Sequence, residues 1–197
     1  AYQYCAGDPV GKVDPSGEKS VSRVRPHPQT NQPEANCFST AVMVLVRQLT
    51  GKWPSAGIYA ETVYWYGRFW PGSAKRSNSS HWGKSYWKLA FRLRYGLRVG
   101  VATSRPMTWT RIKREVGANR AIFARGYVKS EGAKQGHAFV ITGYRTKGGR
   151  KQVEIVSWNR RDWADYTSLK DPSKGSKFGK TGAPWVWTNS AYRMRRT

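Results

Sequence analysis

The sequence predicts an α+β domain, because helical periodicity dominates its first half and strand-like alternation its second. Residues 37–49 have apolar side chains at i, i+3, i+4 and i+7, as in an amphipathic helix. From about residue 120 the period shortens, and 121–128, 137–144 and 152–159 have the composition of strands. Helices followed by antiparallel strands are typical of the α+β class. The apolar stripe of the first helix consists of Val42, Leu45, Val46 and Leu49.

Local signals define the ends of these elements. Asn36 is a suitable N-cap and Gly51 a suitable C-cap for the first helix. Two more helices are predicted over residues 82–95 and 108–116, and the stretch PWVWTNSAY near the end indicates another packed strand. Between the second and third predicted strands, RTKGGRK indicates a hairpin loop.

The positive charge is unevenly distributed. The formal net charge is +24, yet residues 1–36 contain four bases and four acids, so the whole excess lies in residues 37–197. This shift predicts a boundary between a neutral leader and a basic domain. The chain has no run of eighteen apolar residues, which predicts that no segment spans a membrane, and AYQYCAGDPVGKVDPSG does not have the pattern of a signal peptide. The sequence indicates no metal site and no cofactor.

The position of one cysteine suggests chemistry. Cys37 is predicted to begin the first helix, where unpaired backbone N–H groups and the helix dipole favour a thiolate. His137 opens a predicted strand, and Asn159 closes the strand that follows it. A histidine can act as the base for a cysteine, and an asparagine can orient the imidazole. The alternative for each residue is structural: a buried cysteine, a hydrogen-bonded strand histidine and a strand end.

The hairpin register connects the histidine with the asparagine. An odd number of loop residues would place His137 opposite Asn159 and give the two strands one apolar face. An even loop would place His137 opposite Arg160 and mix the faces. We therefore predict an odd loop, whose apolar face would contain Phe139, Ile141, Val153 and Ile155.

The segments NCFSTAVMVLVRQLTG and GHAFVITGY…GGRKQVEIVSWN resemble the papain-like cysteine hydrolases. They look most like the papain-fold toxin domains of bacterial polymorphic toxins, some of which are glutamine deamidases, and are also similar to double-glycine leader peptidases. This resemblance implies a papain-like fold, with Cys37 as nucleophile, His137 as general base and Asn159 as orienting residue. The oxyanion-hole glutamine of the family would lie at position 31, which is Asn31, so Gln32 is the candidate one residue away. Asp162 is an alternative orienting residue.

The first seventeen residues resemble the end of an Rhs repeat-associated core. They fit the pattern Y-x-Y-x-x-x-x-P-V-x-x-x-D-P-x-G, which in such proteins precedes a variable C-terminal toxin domain. We therefore expect residues 1–17 to be the tail of the core, 18–31 a linker and 32–197 a papain-like toxin domain. Cys5 then belongs to the leader and takes no part in the chemistry.

The two resemblances imply a toxin effector that is secreted or delivered by a bacterial secretion system. It would hydrolyse an amide bond of a protein substrate in the target-cell cytoplasm, as a protease or a glutamine deamidase, and an acidic immunity protein would neutralise it. A nucleic-acid-targeting toxin is the alternative, because residues 62–114 contain twelve lysines or arginines, eleven aromatic residues and no acid. A non-catalytic binding module is also open.

Overall fold

An antiparallel sheet with helices packed against it forms the fold, which confirms the predicted α+β class. Every strand pair in the described part of the chain is antiparallel. The computed structural model describes residues 18–20, 37–53, 96–129, 136–157, 160–178 and 184–196.

The described residues form three helices and ten strands, which are numbered in chain order. The helices are α1 Cys37–Thr50, α2 Trp109–Gly117 and α3 Tyr166–Lys170. The strands are β1 Lys19–Ser20, β2 Leu97–Arg98, β3 Val101–Thr103, β4 Ile122–Val128, β5 Gly136–Lys147, β6 Arg150–Ser157, β7 Arg160–Asp165, β8 Ser176–Lys177, β9 Pro184–Tyr192 and β10 Arg195–Arg196.

The main sheet has eight strands and a central path in the order β3-β9-β4-β5-β6-β7. The short strand β1 pairs with β5 beyond the start of β4, and β8 pairs with β9 beyond the end of β3. β2 and β10 form a separate two-stranded ladder. β9 comes from the stretch predicted as a packed strand, which is confirmed, and it lies between β3 and β4 although it follows them in the chain.

Helix α1 begins at Cys37 and ends at Thr50, close to the predicted bounds. Gly51 ends it as expected, with a φ of 78° and an N–H group that donates to the Arg47 carbonyl at 2.7 Å. The predicted cap Asn36 lies outside the described residues. Residues 41–46 are all buried, so the helix is enclosed on more than the predicted stripe and contributes to the core against β5 and β6.

The hairpin between β5 and β6 corrects one prediction and confirms another. Its loop is Gly148 and Gly149, an even number, with φ values of 54° and 73° as in a tight two-residue turn. The predicted odd loop is therefore wrong. A bulge between Ile141 and Gly143 shifts the register by one residue, so that Ile141 pairs with Ile155 as the apolar pattern predicted.

The other predicted helices and the predicted linker have different outcomes. The predicted helix 108–116 is confirmed as α2, whose N-cap Thr108 accepts a hydrogen bond from the Arg111 N–H. The predicted helix 82–95 lies outside the described residues. β7 and α3 were not predicted, and within the predicted linker Lys19–Ser20 pairs with β5. In the described ranges, no helix is long and apolar enough to cross a membrane.

Candidate active site

The Cys37 side chain lies at the junction of α1 and β5. Cys37 is the first residue of α1 and is half-buried. Its Sγ atom accepts a hydrogen bond from the Ala138 backbone N–H at 3.4 Å. Both the helix start and this N–H stabilise a thiolate relative to a thiol, because each directs a partial positive charge at the sulfur.

His137 precedes Ala138 on β5, so the backbone that contacts the sulfur also carries the histidine. The His137 side chain is 3% exposed. Its Nε2 atom forms a hydrogen bond of 2.6 Å with Ser157 Oγ on β6. The imidazole also packs against the Trp185 ring on β9, with centroids 4.6 Å apart, and lies 6.2 Å from the Phe139 ring. These contacts hold the ring between a polar and an aromatic neighbour.

A glycine on β4 makes room for this arrangement. Gly126 pairs with His137 on one side and with Trp187 on the other, at a bulge in the β4–β9 ladder. A Cβ atom at Gly126 would lie 2.2 Å from the Val186 carbonyl oxygen, which belongs to the backbone and has little freedom to move. The close approach of β9, which carries Trp185, to β4 therefore requires glycine at this position.

Burial controls the protonation of the histidine. Desolvation lowers the pKa of His137 from 6.5 to about 3, since the charged imidazolium loses its hydration in the core. The imidazole is therefore neutral near neutral pH. A neutral ring has one nitrogen with an available lone pair, but the desolvation that lowers the pKa also weakens the ring as a base, and a negative charge beside it would offset this loss.

Two of the four predicted site residues lie in the described part of the chain. The Cys37 sulfur contacts the backbone N–H of Ala138, the residue that follows His137 on β5. Asn159 and Gln32 lie outside the described residues, so their predicted roles stay predictions, as does that of Asn31. β6 is described as far as Ser157, and the last two residues of the predicted strand lie outside the described residues.

The position of the alternative orienting residue can be derived from the register. Asp162 pairs with Ile155, which pairs with Ile141. It is therefore two strands across the sheet and four residues along it from His137. At a rise of about 3.3 Å per residue and a strand spacing of about 4.8 Å, this is a backbone separation of roughly 16 Å. The Asp162 carboxylate is thus beyond hydrogen-bond reach of the imidazole.

Two contacts of the histidine were not predicted. The alternation along 152–159 had placed Ser157 on the same strand face as Asn159, and in the observed register it is the diagonal neighbour of His137. That pattern could have indicated Ser157 as a hydrogen-bond partner. The contact with Trp185 depends on the insertion of β9 beside β4, for which the local sequence gives no signal.

In the described ranges, no group of three or more His, Cys, Asp or Glu side chains could hold a metal ion.

An antiparallel sheet whose buried histidine adjoins a cysteine at a helix start is the architecture of a cysteine peptidase-like domain. The comparison with protein families agrees with this class: the model of the Peptidase_C39 like family matches residues 21–179. Because the match spans most of the 197 residues, the chain belongs to this family. Among curated proteins, no match was found.

Proposed function

We propose that the protein is a cysteine hydrolase that cleaves an amide bond, with Cys37 as nucleophile and His137 as general base. The observation that carries this proposal is the hydrogen bond from Ala138 N–H to Cys37 Sγ, which holds the sulfur next to the residue that supplies the imidazole. Membership of a peptidase-like family supports the same reaction class.

The steps follow the general chemistry of thiol hydrolases. In the tautomer with a proton on Nε2, the His137 ring donates to Ser157 Oγ, and Nδ1 carries the lone pair that accepts the thiol proton. The sulfur attacks the amide carbonyl, the C–N bond breaks, and the amine leaves with the proton from the imidazolium. Water then hydrolyses the thioester, with His137 again as base. Asn159 would assist Ser157 in orienting the ring, and Gln32 would donate to the oxyanion.

The biological setting is part of the proposal and rests on the resemblance of the sequence to polymorphic toxins. The protein would be the C-terminal toxin of an Rhs-type effector, with a protein substrate in the cytoplasm of a target cell. An acidic immunity protein would complement its charge of +24. Release of a peptide amine would make it a protease, and release of side-chain ammonia a glutamine deamidase.

A matched pair of cysteine variants tests the proposal. When each chain is expressed alone in bacterial cytoplasm, the Cys37→Ala chain should lack the toxicity of the native chain. The Cys5→Ala chain should be as toxic as the native chain. Circular dichroism of both proteins must match that of the native chain, so that a loss reports chemistry and not unfolding. Full toxicity of a folded Cys37→Ala chain would contradict the hydrolase and favour a nucleic-acid-targeting toxin or a binding module.

A further inference from the structure

A basic pocket opens on the part of the molecule built by β2, α2 and β10, away from the Cys37–His137 pair. Its volume is about 600 Å³, within the range of ordinary ligand sites. Among the described residues, five arginines and one glutamate line it, so the formal charge of this lining is five minus one, or +4. These residues are Arg98, Arg114, Arg120, Arg193, Arg195 and Glu115.

The ladder beside this pocket places like charges against each other. Arg98 on β2 pairs directly with Arg195 on β10, and both residues are exposed. Directly opposed like charges destabilise a strand pair, unless a counterion lies between them. An anion bound in the pocket would remove this repulsion.

Arg193 has an unusual backbone conformation next to the same pocket. Its φ is 56°, in the left-handed region that non-glycine residues rarely occupy. A Cβ atom at Gly100 would lie 2.7 Å from the Arg193 Cβ, so the absence of a side chain at Gly100 lets Arg193 pack there. Such strained residues concentrate at functional sites.

Glu115 is the one acid among the described residues that line the pocket. Glu115 is fully buried, and its Oε2 accepts from Arg120 Nε at 2.7 Å. Its Oε1 has no hydrogen-bond partner in the described part of the chain. A buried carboxylate oxygen without a donor is costly, so the contact with Arg120 is the compensation for the Glu115 charge that the described residues provide.

We propose that this pocket binds a phosphate-bearing ligand of nucleotide size. Arginine forks match phosphate oxygens, and a triphosphate brings three to four negative charges into a compact volume, which suits a lining charge of +4. An acidic peptide needs several spread carboxylates for the same charge, whereas a triphosphate concentrates it within the volume of the pocket.

The pocket and the thiol lie at opposite ends of α1. Cys37 begins this helix, whereas Gln48 in its last turn donates to the Asn119 carbonyl at 2.8 Å, next to Arg120. Eleven residues of helix correspond to about 16 Å. Ligand binding is therefore measurable without the nucleophile, and its outcome does not depend on the proposed hydrolase.

The experiment uses isothermal titration of the full Cys37→Ala chain with ATP, with a short oligothymidylate and with an oligoglutamate of similar charge. The pocket variant is Arg98→Gln/Arg195→Gln. The matched control is Lys147→Gln/Arg150→Gln, which neutralises another exposed, directly opposed pair, at the β5–β6 hairpin. Arg114→Gln, at an exposed position of α2, is a second pocket variant if the double variant does not fold.

We expect ATP to bind and the pocket variant to lower its affinity by about tenfold or more, while the control changes it by less than about twofold. If the pocket variant loses as much affinity for oligothymidylate as for ATP, the phosphate source is a nucleic-acid strand. If ATP binds and oligothymidylate does not, the source is a free nucleotide. The proposal is overturned by absence of binding, by equal losses in both double variants, or by an oligoglutamate that binds the pocket as tightly as ATP.

Discussion

Cys37 and Ala138 are 101 positions apart in the chain, yet the backbone N–H of Ala138 donates a hydrogen bond to the Cys37 sulfur at 3.4 Å. The contact attaches the start of α1 to the strand that carries His137. The sulfur therefore has both a helix terminus and a strand N–H directed at it, and both favour negative charge.

This geometry predicts a reactive thiol. At about pH 6, where an ordinary cysteine is almost entirely protonated, iodoacetamide should modify Cys37 at least about tenfold faster than Cys5 or free cysteine. Mass spectrometry of the Cys5→Ala and Cys37→Ala chains would measure the two rates separately. Equal rates in the two chains would show that the helix start and the Ala138 N–H do not activate the sulfur.

Ser157 is predicted to position the imidazole. Ser157→Ala removes the hydrogen bond to His137 Nε2, and we expect a loss of about 1 kcal/mol in the free energy of unfolding and a several-fold slower alkylation of Cys37. Ser190→Ala is the matched control, because Ser190 is also buried and donates to the Arg105 carbonyl. It should destabilise the fold to a similar extent without changing the rate or pH profile of alkylation. If both variants alter the profile alike, the role of Ser157 is structural only.

The buried histidine predicts acid sensitivity of the fold. The pKa of His137 is about 3 in the native state and 6.5 in the unfolded chain, so between these values the unfolded state binds more protons. Its contribution to stability is therefore complete above pH 6.5 and is lost as pH falls through this window. From pH 7 to pH 5 the loss should be about 2 kcal/mol. The free energy of unfolding, measured with urea, should depend less on pH for the His137→Gln chain than for the native chain. If the two chains show the same pH dependence, His137 is not the group responsible.

Two glycines provide a paired test of packing beside the site. Gly126→Ala would place a methyl group 2.2 Å from the Val186 carbonyl oxygen, and should destabilise the protein by about 3 kcal/mol. Gly117→Ala, at the end of α2, meets no atom within 4 Å and should be neutral or stabilising by up to about 1 kcal/mol. Thermal denaturation measures both, and similar midpoints for the two variants would show that the β4–β9 bulge can relax.

Local periodicity was sufficient to predict α1, α2 and the strands β4, β5, β6 and β9, because each buries a face whose spacing is visible in the sequence. The pairing register of β5 and β6 near His137 was predicted correctly, although the predicted odd number of loop residues was wrong. The loop is even, and the bulge at Thr142 offsets it by one residue, so the two departures from the predicted hairpin cancel. A bulge depends on tertiary contacts: Thr142 Oγ1 donates to buried Glu154 at 2.8 Å, and Gly143 leaves space for Ser20. Such contacts leave no periodic trace.

The position of β9 also bears on when the site is completed during synthesis. Cys37, His137 and Ser157 emerge from the ribosome before β9, whose Trp185 covers the imidazole and whose backbone pairs with β4. Until β9 is translated, β3 and β4 have no strand between them, and the His137 ring has no contact with Trp185. A nascent chain that ends before β9 would thus contain Cys37 and His137 without the Trp185 ring that packs against the imidazole. The desolvated environment that lowers the pKa of His137 is therefore complete only after β9 has joined the sheet.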